Sequence, residues 1–223
     1  MAKSELLSVL VGNIKGGCGK TTIATHIASA FAASGYATVL ADCDRQRSSL
    51  HWLERRPEGA PTVSGLDWSK VAGKTPEDTE RLVIDAPAAM RHRDAKELVG
   101  LADFIIVPVL PSLFDEDATA YFLRKLGEIK AVRKQKRAIA LVANRIRLGT
   151  NAAEELEHYF EKREPRVIAR LRDSQIYPAL SKSGMTVFED GSARARAYAA
   201  EWQPLLGLVG LGAPRTGKRQ AAE

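Results

Sequence analysis

The chain has 223 residues, of which 45% are hydrophobic and 27% are charged. This composition supports one sizeable hydrophobic core and excludes a chain that is disordered throughout. Two cysteines are too few for a disulfide framework, an iron–sulfur cluster or a structural zinc site within one chain. The formal net charge of +6 favours a polyanionic partner, but it does not separate nucleic acid from anionic lipid.

Residues 1–209 are expected to form a single domain. After Val209 the sequence lacks an apolar face, so residues 210–223 are expected to be a disordered basic tail. No charged leader with a short apolar stretch opens the sequence, and no apolar run is long enough to cross a bilayer. We therefore expect a soluble, cytoplasmic protein.

Short apolar runs alternate along the chain with segments of helical periodicity. The runs that predict strands buried on both faces cover residues 6–11, 37–41, 82–84, 104–109 and 139–143. Apolar residues recur at helical spacing in the segments 23–31, 122–132 and 156–160. The stretch 55–74, which is richer in Pro and Gly, predicts a surface connection with a short edge strand at 62–65.

The alternation of strands and helices predicts an α/β fold. Right-handed crossovers would give a doubly wound, mostly parallel sheet flanked by helices. In such sheets ligands bind beyond the carboxyl ends of the strands. The polar residues of this sequence collect at those predicted strand ends.

A glycine-rich loop separates the first predicted strand from the first predicted helix. Its residues are Lys15, Gly16, Gly17, Cys18, Gly19, Lys20, Thr21 and Thr22. The glycines let backbone N–H groups close around phosphate oxygens, and the following helix N-terminus adds partial positive charge. Lys20 would reach the β- and γ-phosphates of a nucleotide, and the Thr21 hydroxyl would bind Mg²⁺. The loop therefore predicts a site for a nucleoside triphosphate.

Three aspartates follow predicted strands. Asp42 and Asp44 lie after the second strand, and Asp85 ends the third. Two carboxylates beside a bound triphosphate would repel it unless metal or water lay between them, which favours a catalytic arrangement. Asp85 is expected to hold Mg²⁺ directly or through water. Asp44 has a second interpretation as a helix N-cap, and both roles could hold together.

The loop departs from the common G-x-x-x-x-G-K-[ST] pattern in two places. Ile14 stands where the first glycine would be, and a second lysine, Lys15, precedes the paired glycines. In this form the loop resembles that of the ParA/MinD family of deviant Walker A ATPases, whose members carry K-G-G-x-G-K-[ST]-[ST]. The resemblance extends over residues 6–206 and is nearest to small, single-domain ParA-type partition and positioning ATPases, McdA-like carboxysome-positioning proteins included. It implies the fold of the P-loop nucleoside triphosphatases.

The resemblance implies roles for particular residues. Lys15 would cross to the phosphates of a partner subunit, so that ATP joins a sandwich homodimer; the alternative is a solvated lysine. The segment 42–46 resembles the family's D-x-D-P-Q, with Arg45 in place of proline, so Asp44 would position the attacking water. Asn144 would meet the adenine, with Arg145 beside it.

The candidate site follows from these roles, with ATP and Mg²⁺ as the cofactors. The predicted ATP-binding residues are the eight loop residues 15–22 together with Asn144 and Arg145. The predicted catalytic residues are Lys15, Lys20 and Asp44. The predicted metal-site residues are Thr21, Asp44 and Asp85.

The family resemblance also implies a DNA-binding surface. The segment 167–184 resembles a ParA segment in which an arginine after a strand touches DNA phosphates, which points to Arg170 first and to Arg172. Arg194 and Arg196 fall near a second basic position of the family, and being two residues apart on a helix, only one is expected to face DNA. Contacts to phosphates alone imply binding without sequence preference. The basic run 133–137 either extends this surface or is a solvated helix end.

The implied function is that of a slow, partner-stimulated ATPase. Its ATP-bound dimer would bind non-specific DNA, associate with the nucleoid, and position a plasmid, a chromosome region, a chemotaxis cluster or a carboxysome. The rival interpretations are a MinD-like membrane-surface ATPase and a phosphotransferase that uses the same loop. The apolar stretch 205–212 is interrupted by glycines and carries no cations, so we expect it to pack on the core and expect no membrane partner.

Two cysteines lie near the predicted loop. Cys18 and Cys43 are expected to be semi-buried thiols, with a redox switch as the alternative.

Overall fold

The computed structural model describes residues 6–88, 90, 92–134, 136–147, 149–161 and 164–211, without the side chains of His92, Glu157 and Phe160. Residues 212–223 of the predicted tail lie outside the described residues. Gly210 and Leu211 belong to the packed chain, since the Leu211 N–H donates to the Leu206 carbonyl (2.9 Å). The boundaries of the domain and of the tail remain predictions.

The described residues form seven strands and nine α-helices. The strands are β1 (Leu7–Val11), β2 (Thr38–Asp42), β3 (Val63–Asp67), β4 (Arg81–Asp85), β5 (Phe104–Val109), β6 (Ala138–Ile146) and β7 (Val167–Arg172). The helices are α1 (Lys20–Ala33), α2 (Ser48–Glu54), α3 (His92–Leu101), α4 (Leu113–Glu128), α5 (Lys130–Arg133), α6 (Asn151–Glu161), α7 (Ile176–Ser181), α8 (Ala193–Ala199) and α9 (Gln203–Leu208). A 3₁₀ turn, Ala200–Trp202, joins α8 to α9.

The strands make one sheet in the order β3-β2-β4-β1-β5-β6-β7, and every pairing is parallel. This confirms the predicted doubly wound sheet. The chain builds one half of the sheet with β2 to β4 and the other with β5 to β7, so β1 lies where the halves meet. The loop after β1 therefore leaves the sheet at the place where ligands of such folds bind. The strand expected at 62–65 is β3, and it lies at an edge of the sheet.

The core lies on both faces of the sheet. One face packs against α1, α2 and the C-terminal helices, around Phe31, Trp52 and Trp202. The other packs against α3, α4 and α6, around Phe122 and Leu126. Because the central strands are covered on both faces, their sequences are short and almost wholly apolar rather than alternating.

One predicted helix is interrupted. The helical spacing over 122–132 suggested a continuous helix, but Ile129 is extended (ψ 125°) and separates α4 from α5. Ile129 is 6% exposed, so the break buries its side chain against the same core. The apolar residues keep their helical spacing across the break, so the periodicity of the sequence did not reveal the interruption.

The C-terminal apolar stretch packs on the core, as expected. Leu205, Leu206 and Val209 are buried beside Trp202. The helix that carries Arg194 and Arg196 is α8, and α9 follows it. Within the described part of the chain, no helix has the length and apolar character needed to cross a membrane.

A buried histidine joins α1 to the C-terminal segment. The ring of His26 stacks on Trp202, with centroids 4.6 Å apart, and meets the edges of Tyr177 and Phe188. His26 Nδ1 lies 2.7 Å from the Thr22 carbonyl oxygen, to which it donates as the neutral tautomer. Burial lowers the pKa of His26 to about 4, and the Thr22 carbonyl and the charge of Glu189 only partly oppose this.

The low pKa of His26 predicts an acid-sensitive fold. A histidine that is neutral in the folded state but takes a proton at pH 6.5 when unfolded stabilises the fold fully above pH 6.5. That stability is lost as the pH falls towards 4. Between pH 7 and pH 5, His26 should lower the free energy of unfolding by about 2 kcal/mol. The substitution His26→Phe keeps an aromatic ring against Trp202. Over the same pH interval, its free energy of unfolding, measured with urea, should fall by about 2 kcal/mol less than that of the parent. An equal decline in both proteins would contradict the assignment.

Candidate nucleotide-binding site

Polar contacts to β5 and α4 hold the loop between β1 and α1. Asn13 is fully buried, and its amide donates to the Pro108 carbonyl (2.8 Å) and the Thr119 hydroxyl (3.0 Å). Asn13 Oδ1 accepts the Lys15 N–H (3.3 Å). These bonds tie the loop to β5 and α4. The sequence analysis did not identify Asn13 or Thr119. The sequence offers only weak signals for them: Asn13 is a polar residue next to the glycine-rich motif, and Thr119 is a polar residue on the apolar side of α4.

Gly17 and Gly19 adopt backbone conformations that other residues rarely take. Their φ angles are 76° and 97°. A Cβ on Gly19 would also come within 2.2 Å of Asn144 Nδ2. The same nitrogen donates to the Cys18 carbonyl (2.8 Å), so β6 braces the loop from its other side. Gly19 is therefore required both by its own backbone and by the close approach of Asn144.

The predicted loop residues 15–22 come together as one turn at the start of α1. Lys20 is 7% exposed, and its ammonium donates to the Lys15 carbonyl (2.9 Å). The Cys18 thiol donates to the same oxygen (3.3 Å). Lys15 itself is half-buried. The turn places backbone N–H groups and two lysines at the carboxyl edge of the sheet, where they can surround phosphate oxygens.

Asp85 ends β4 in register with Val11 on one side and Asp42 on the other. It is 1% exposed, and neither carboxylate oxygen makes a well-formed hydrogen bond to the described residues. Burial raises the pKa of Asp85 to about 7; the charge of Asp42 adds to the rise, while the hydroxyl of Thr21 and the ammonium of Lys20 oppose it. A buried carboxylate without bonding partners is unfavourable unless a cation accompanies it.

The neighbouring carboxylate of Asp42 is satisfied within the protein. Its Oδ2 accepts the Ser49 hydroxyl (2.6 Å) and the N–H groups of Ser49 (2.9 Å) and Leu50 (3.3 Å), so Asp42 holds the first turn of α2. Its Oδ1 accepts the Asp44 N–H (2.9 Å). The two buried aspartates thus have different tasks, and Asp85 is the one whose oxygens make no well-formed hydrogen bond to the described residues.

Asp44 is not the N-cap of α2. The N-cap is Arg47, which has a φ of 52°, and the helix begins at Ser48. Asp44 is half-buried, and its Oδ1 accepts the Gln46 N–H (2.9 Å) within the turn that follows β2. The catalytic and metal-binding roles inferred from the family resemblance remain predictions for this residue.

The surroundings of Asp85 suit Mg²⁺. Thr21 and Asp85 supply oxygens, the donors that Mg²⁺ prefers, and the usual site for this ion adds only phosphate and water oxygens to one or two protein ligands. Among the described residues no three His, Cys, Asp or Glu side chains form a group that could hold a metal ion.

The two residues predicted to meet adenine lie at the end of β6. Asn144 is 7% exposed and bonds the loop through Cys18, a task that the resemblance did not suggest. Arg145 is exposed with a φ of 54°, at a register shift between β6 and β7. The adenine contact remains a prediction for both.

The cysteines fit buried thiols better than a redox switch. Both are buried and free. Burial raises the pKa of Cys43 to about 12, with Asp85 and Asp42 adding to the rise, and burial also raises the pKa of Cys18. Thiols with raised pKa values stay protonated at neutral pH and react slowly.

The predicted DNA-binding arginines lie at the far edge of the sheet. Arg170 is exposed within β7, not after the strand as the sequence suggested. Arg172 ends β7 and forms an ion pair with Glu201, while its guanidinium lies 4.6 Å from the centre of the Tyr198 ring. The charge of Arg172 is thus already paired with a carboxylate, which makes it a weaker candidate for a phosphate contact.

The two arginines of α8 differ in their contacts. The Ser174 hydroxyl lowers the pKa of the Tyr198 hydroxyl most; partial burial opposes the change, and Arg194 adds to it. Arg196 donates to the Gly191 carbonyl at the start of the same helix. Both arginines are exposed, and which of them faces DNA remains a prediction.

The basic run near α5 carries structural contacts. The Arg137 guanidinium donates to the carbonyls of Val99 (3.2 Å) and Gly100 (2.9 Å) and so holds the last turn of α3. Upstream of the run, Lys125 pairs with Glu128 (3.0 Å). These contacts favour the interpretation of the run as a solvated helix end.

A glycine-rich turn between a strand and a helix, with a buried lysine and a strand-end aspartate, defines a phosphate-loop nucleotide-binding protein. A model of the CobQ/CobB/MinD/ParA nucleotide-binding domain matches residues 9–187. The chain belongs to this family, which confirms the resemblance to ParA and MinD.

Individual relatives and solved structures align with nearly the whole of this chain. The maintenance of carboxysome distribution protein A of Halothiobacillus neapolitanus is 27% identical over 216 residues, covering 94% of this chain and 99% of that protein. An ATP complex of a McdA variant from Cyanothece superposes with a TM-score of 0.68 at 15% identity, covering 91% of this chain and 97% of that one. A chain of the MinC:MinD cell division complex of Aquifex aeolicus gives 0.68 at 16% identity, covering 90% and 96%. At these identities the two structures support the fold alone.

The state of Asp85 predicts a variant that is more stable but does not respond to the metal. Asp85→Asn removes a buried charge, so without nucleotide the free energy of unfolding at pH 8 should rise by about 1–3 kcal/mol, after allowing for an unsatisfied amide. The rise in melting temperature that Mg²⁺ and ATP give the parent together should be lost in this variant.

The matched control is Asp67→Asn, which changes a half-exposed carboxylate at the end of β3. It should leave the response to Mg²⁺ and ATP unchanged. A parent-like response of Asp85→Asn would remove Asp85 from the metal site.

Proposed function

We propose that this protein is a dimerising ATPase that hydrolyses ATP to ADP and phosphate, binds DNA without sequence preference in its ATP form, and positions or segregates a cargo. The observation that carries the proposal is a loop with two lysines, Lys15 and Lys20, beside the buried and unpartnered carboxylate of Asp85. Membership of a family that includes ParA and MinD supports it.

Each part of the site has a chemical task in this proposal. Lys20 and the loop N–H groups bind the β- and γ-phosphates, and Thr21 and Asp85 hold Mg²⁺, which neutralises phosphate charge when it is bound. Asp44 orients the attacking water from the turn that Asp42 holds in place. Because Asn144 bonds the loop, we expect the exposed Arg145 to approach the adenine more closely than Asn144 does.

Lys15 makes the site a shared one. Its side chain would reach the phosphates of a second copy, so that ATP binding closes a homodimer and hydrolysis opens it. Positioning and Mg²⁺ are sufficient for transfer of a phosphoryl group to water, so the rate can be low until a partner protein stimulates it. A cycle of this kind serves as a timer.

Two substitutions should separate hydrolysis from dimerisation. Asp44→Ala should release phosphate at least about 100-fold more slowly while the ATP-bound dimer persists, because the water is no longer oriented. Lys15→Ala should bind ATP as a monomer. Phosphate release and light scattering measure these outcomes. Normal turnover of Asp44→Ala would remove Asp44 from its role, and an ATP dimer of Lys15→Ala would remove Lys15.

We propose Arg170 and Arg194 as the centre of the DNA-binding surface. Both are exposed. Arg194 contributes to the lowered pKa of Tyr198, whose ring lies against the Arg172 guanidinium. Arg172, paired with Glu201, would support this surface rather than touch phosphate.

The DNA surface is tested by single substitutions. Arg170→Ala should weaken binding to random-sequence DNA and reduce the salt slope by about one, while ATP affinity is unchanged, because one phosphate contact is lost. Arg133→Ala, which removes an exposed cation of the basic run, is the matched control and should have little effect. Shift assays with ATP, with ADP and without nucleotide measure both. Equal losses in the two variants would move the DNA surface to α5.

The cargo and location follow from the same proposal. The ATP-bound form would associate with the nucleoid, and an adaptor protein would link it to its cargo and stimulate hydrolysis. A relative that covers nearly the whole chain is named for carboxysome distribution, which supports a protein assembly as the cargo. Sedimentation with anionic liposomes in ATP would instead favour a MinD-like membrane role, although Leu205 and Leu206 of the C-terminal helix are buried.

A further inference from the structure

A buried ion pair joins the end of α2 to the segment that follows α7. The side chains of Arg56 and Glu189 are 8% and 6% exposed and pair directly. The same guanidinium donates to the carbonyls of Gly184 (3.0 Å) and Pro61 (2.7 Å). Glu189 Oε2 accepts the N–H (2.9 Å) and the hydroxyl (3.1 Å) of Thr186. Both charges therefore lie largely out of water, and each has several hydrogen-bonding partners.

The backbones of the two segments also touch at this junction. Gly184 has a φ of 65°, and a Cβ on it would come within 2.5 Å of the Arg55 carbonyl carbon. A residue other than glycine would therefore push the two backbones apart. The Arg55 side chain donates to the Ser181 carbonyl (3.3 Å). The end of α2 thus holds the segment 181–189 at several points.

A buried ion pair calls for a reason other than stability. Removing two charges from water costs about as much as their attraction returns, and apolar side chains of similar size are often as stabilising. An ion pair of fixed geometry can instead specify one arrangement of its partners. The pair between Arg56 and Glu189 therefore fixes how the segment 181–189 lies on α2.

The segment held by α2 lies between the arginines proposed to bind DNA. Arg170 precedes it on β7, and Arg194 follows it on α8. Helix α8 begins at Ala193, close after Glu189 in the chain. A displacement of the segment 181–189 would therefore move α8 relative to β7.

The other end of α2 is fixed at the turn that follows β2. Asp42 Oδ2 accepts the N–H and the hydroxyl of Ser49 in the first turn of α2, while Asp42 Oδ1 accepts the Asp44 N–H. The helix has seven residues and is therefore about 10 Å long. A short helix fixed at both ends moves as a rigid body, so a displacement of the turn at one end reaches the ion pair at the other.

We propose that Arg56 and Glu189 are positioning residues that couple the turn carrying Asp44 to the DNA-binding surface through α2. The inference rests on the proposed function, in which a nucleotide occupies the loop and DNA binds near Arg170 and Arg194. A bound γ-phosphate would contact the turn, α2 would move with it, and the ion pair would carry the movement to α8. Nucleotide would then change DNA affinity within one subunit, and DNA would change nucleotide affinity by the same factor.

The test is a charge-neutral double substitution, Arg56→Met with Glu189→Met. It removes one cation and one anion, so the net charge and the general attraction to DNA stay the same. Anisotropy of labelled random-sequence DNA gives the dissociation constants with ADP and with the non-hydrolysable analogue AMPPNP. The parent should bind more tightly with AMPPNP, and the ratio of the two constants should fall by about five-fold or more in the double variant.

Two further variants accompany the test. The matched control is Lys125→Gln with Glu128→Gln, which removes an exposed ion pair from α4 on the other face of the sheet and should keep the ratio of the parent. The single variant Glu189→Gln keeps an oxygen for the Thr186 N–H but loses the charge. Its ratio should also fall, and its result decides the matter if the double variant does not fold.

Stability and dimerisation are measured on the same proteins. The melting temperature of the double variant without nucleotide should stay within about 4 °C of the parent, because apolar replacement of a buried pair is often neutral. A larger fall in both variants would show that the pair supports the fold and would overturn the proposal. Sedimentation with AMPPNP should give the same dimer as the parent. If the ratio falls only together with dimerisation, the effect passes through the second copy and the inference is wrong.

The remaining outcomes separate this inference from the proposed function. If both variants keep the ratio of the parent, the ion pair is not the link, while the proposed function stands. If the parent binds DNA equally well with AMPPNP and with ADP, the nucleotide-dependent DNA binding of the proposed function fails together with this inference.

Discussion

The buried carboxylate of Asp85 is the constraint around which the rest of the site is organised. Parallel pairing places it between Val11 and Asp42, out of water, and burial raises its pKa to about 7. Its neighbour Asp42 already accepts hydrogen bonds from α2, so the Asp42 carboxylate is not available to bind a cation in the same way. The folded chain thus carries an unfavourable charge that a cation would relieve. Binding of Mg²⁺ with a nucleotide would therefore stabilise the folded state more strongly than the contacts to phosphate alone would suggest.

Helix α1 connects this site to the opposite part of the molecule. Its first turn carries Lys20 and Thr21, and one to two turns later His26 stacks on Trp202. The Ser29 hydroxyl then bonds the Thr186 hydroxyl (2.7 Å) of the C-terminal segment. The surface proposed for DNA and the loop proposed for ATP are therefore packed against a common rigid element. This arrangement supplies a physical connection between the two proposed sites.

The start of α4 shows why amphipathic patterns fail near functional sites. In most surface helices the acids face water and the apolar residues face the core. Here Asp115 and Glu116 are buried, and Phe114 is exposed. The reversal lasts for one turn, since Phe122 and Leu126 farther along are buried in the ordinary way. Local departures from a pattern that the remainder of the helix obeys are expected where function has required them.

The sequence by itself determined the features that depend on neighbouring residues: the apolar strands, the glycine-rich turn, the second lysine, and the acid at the end of a strand. These are local, because a strand, the turn after it and the next helix are covalently continuous. Only the tertiary structure decided which polar groups meet. Asn13 meets Thr119, Asn144 meets Cys18 and Arg172 meets Glu201 across long stretches of chain, and side-chain chemistry alone leaves many partners possible for each. The roles of Asp42 and Asp85 diverged for the same reason: both are acids at strand ends, and only the packing of α2 supplied N–H groups to one and none to the other.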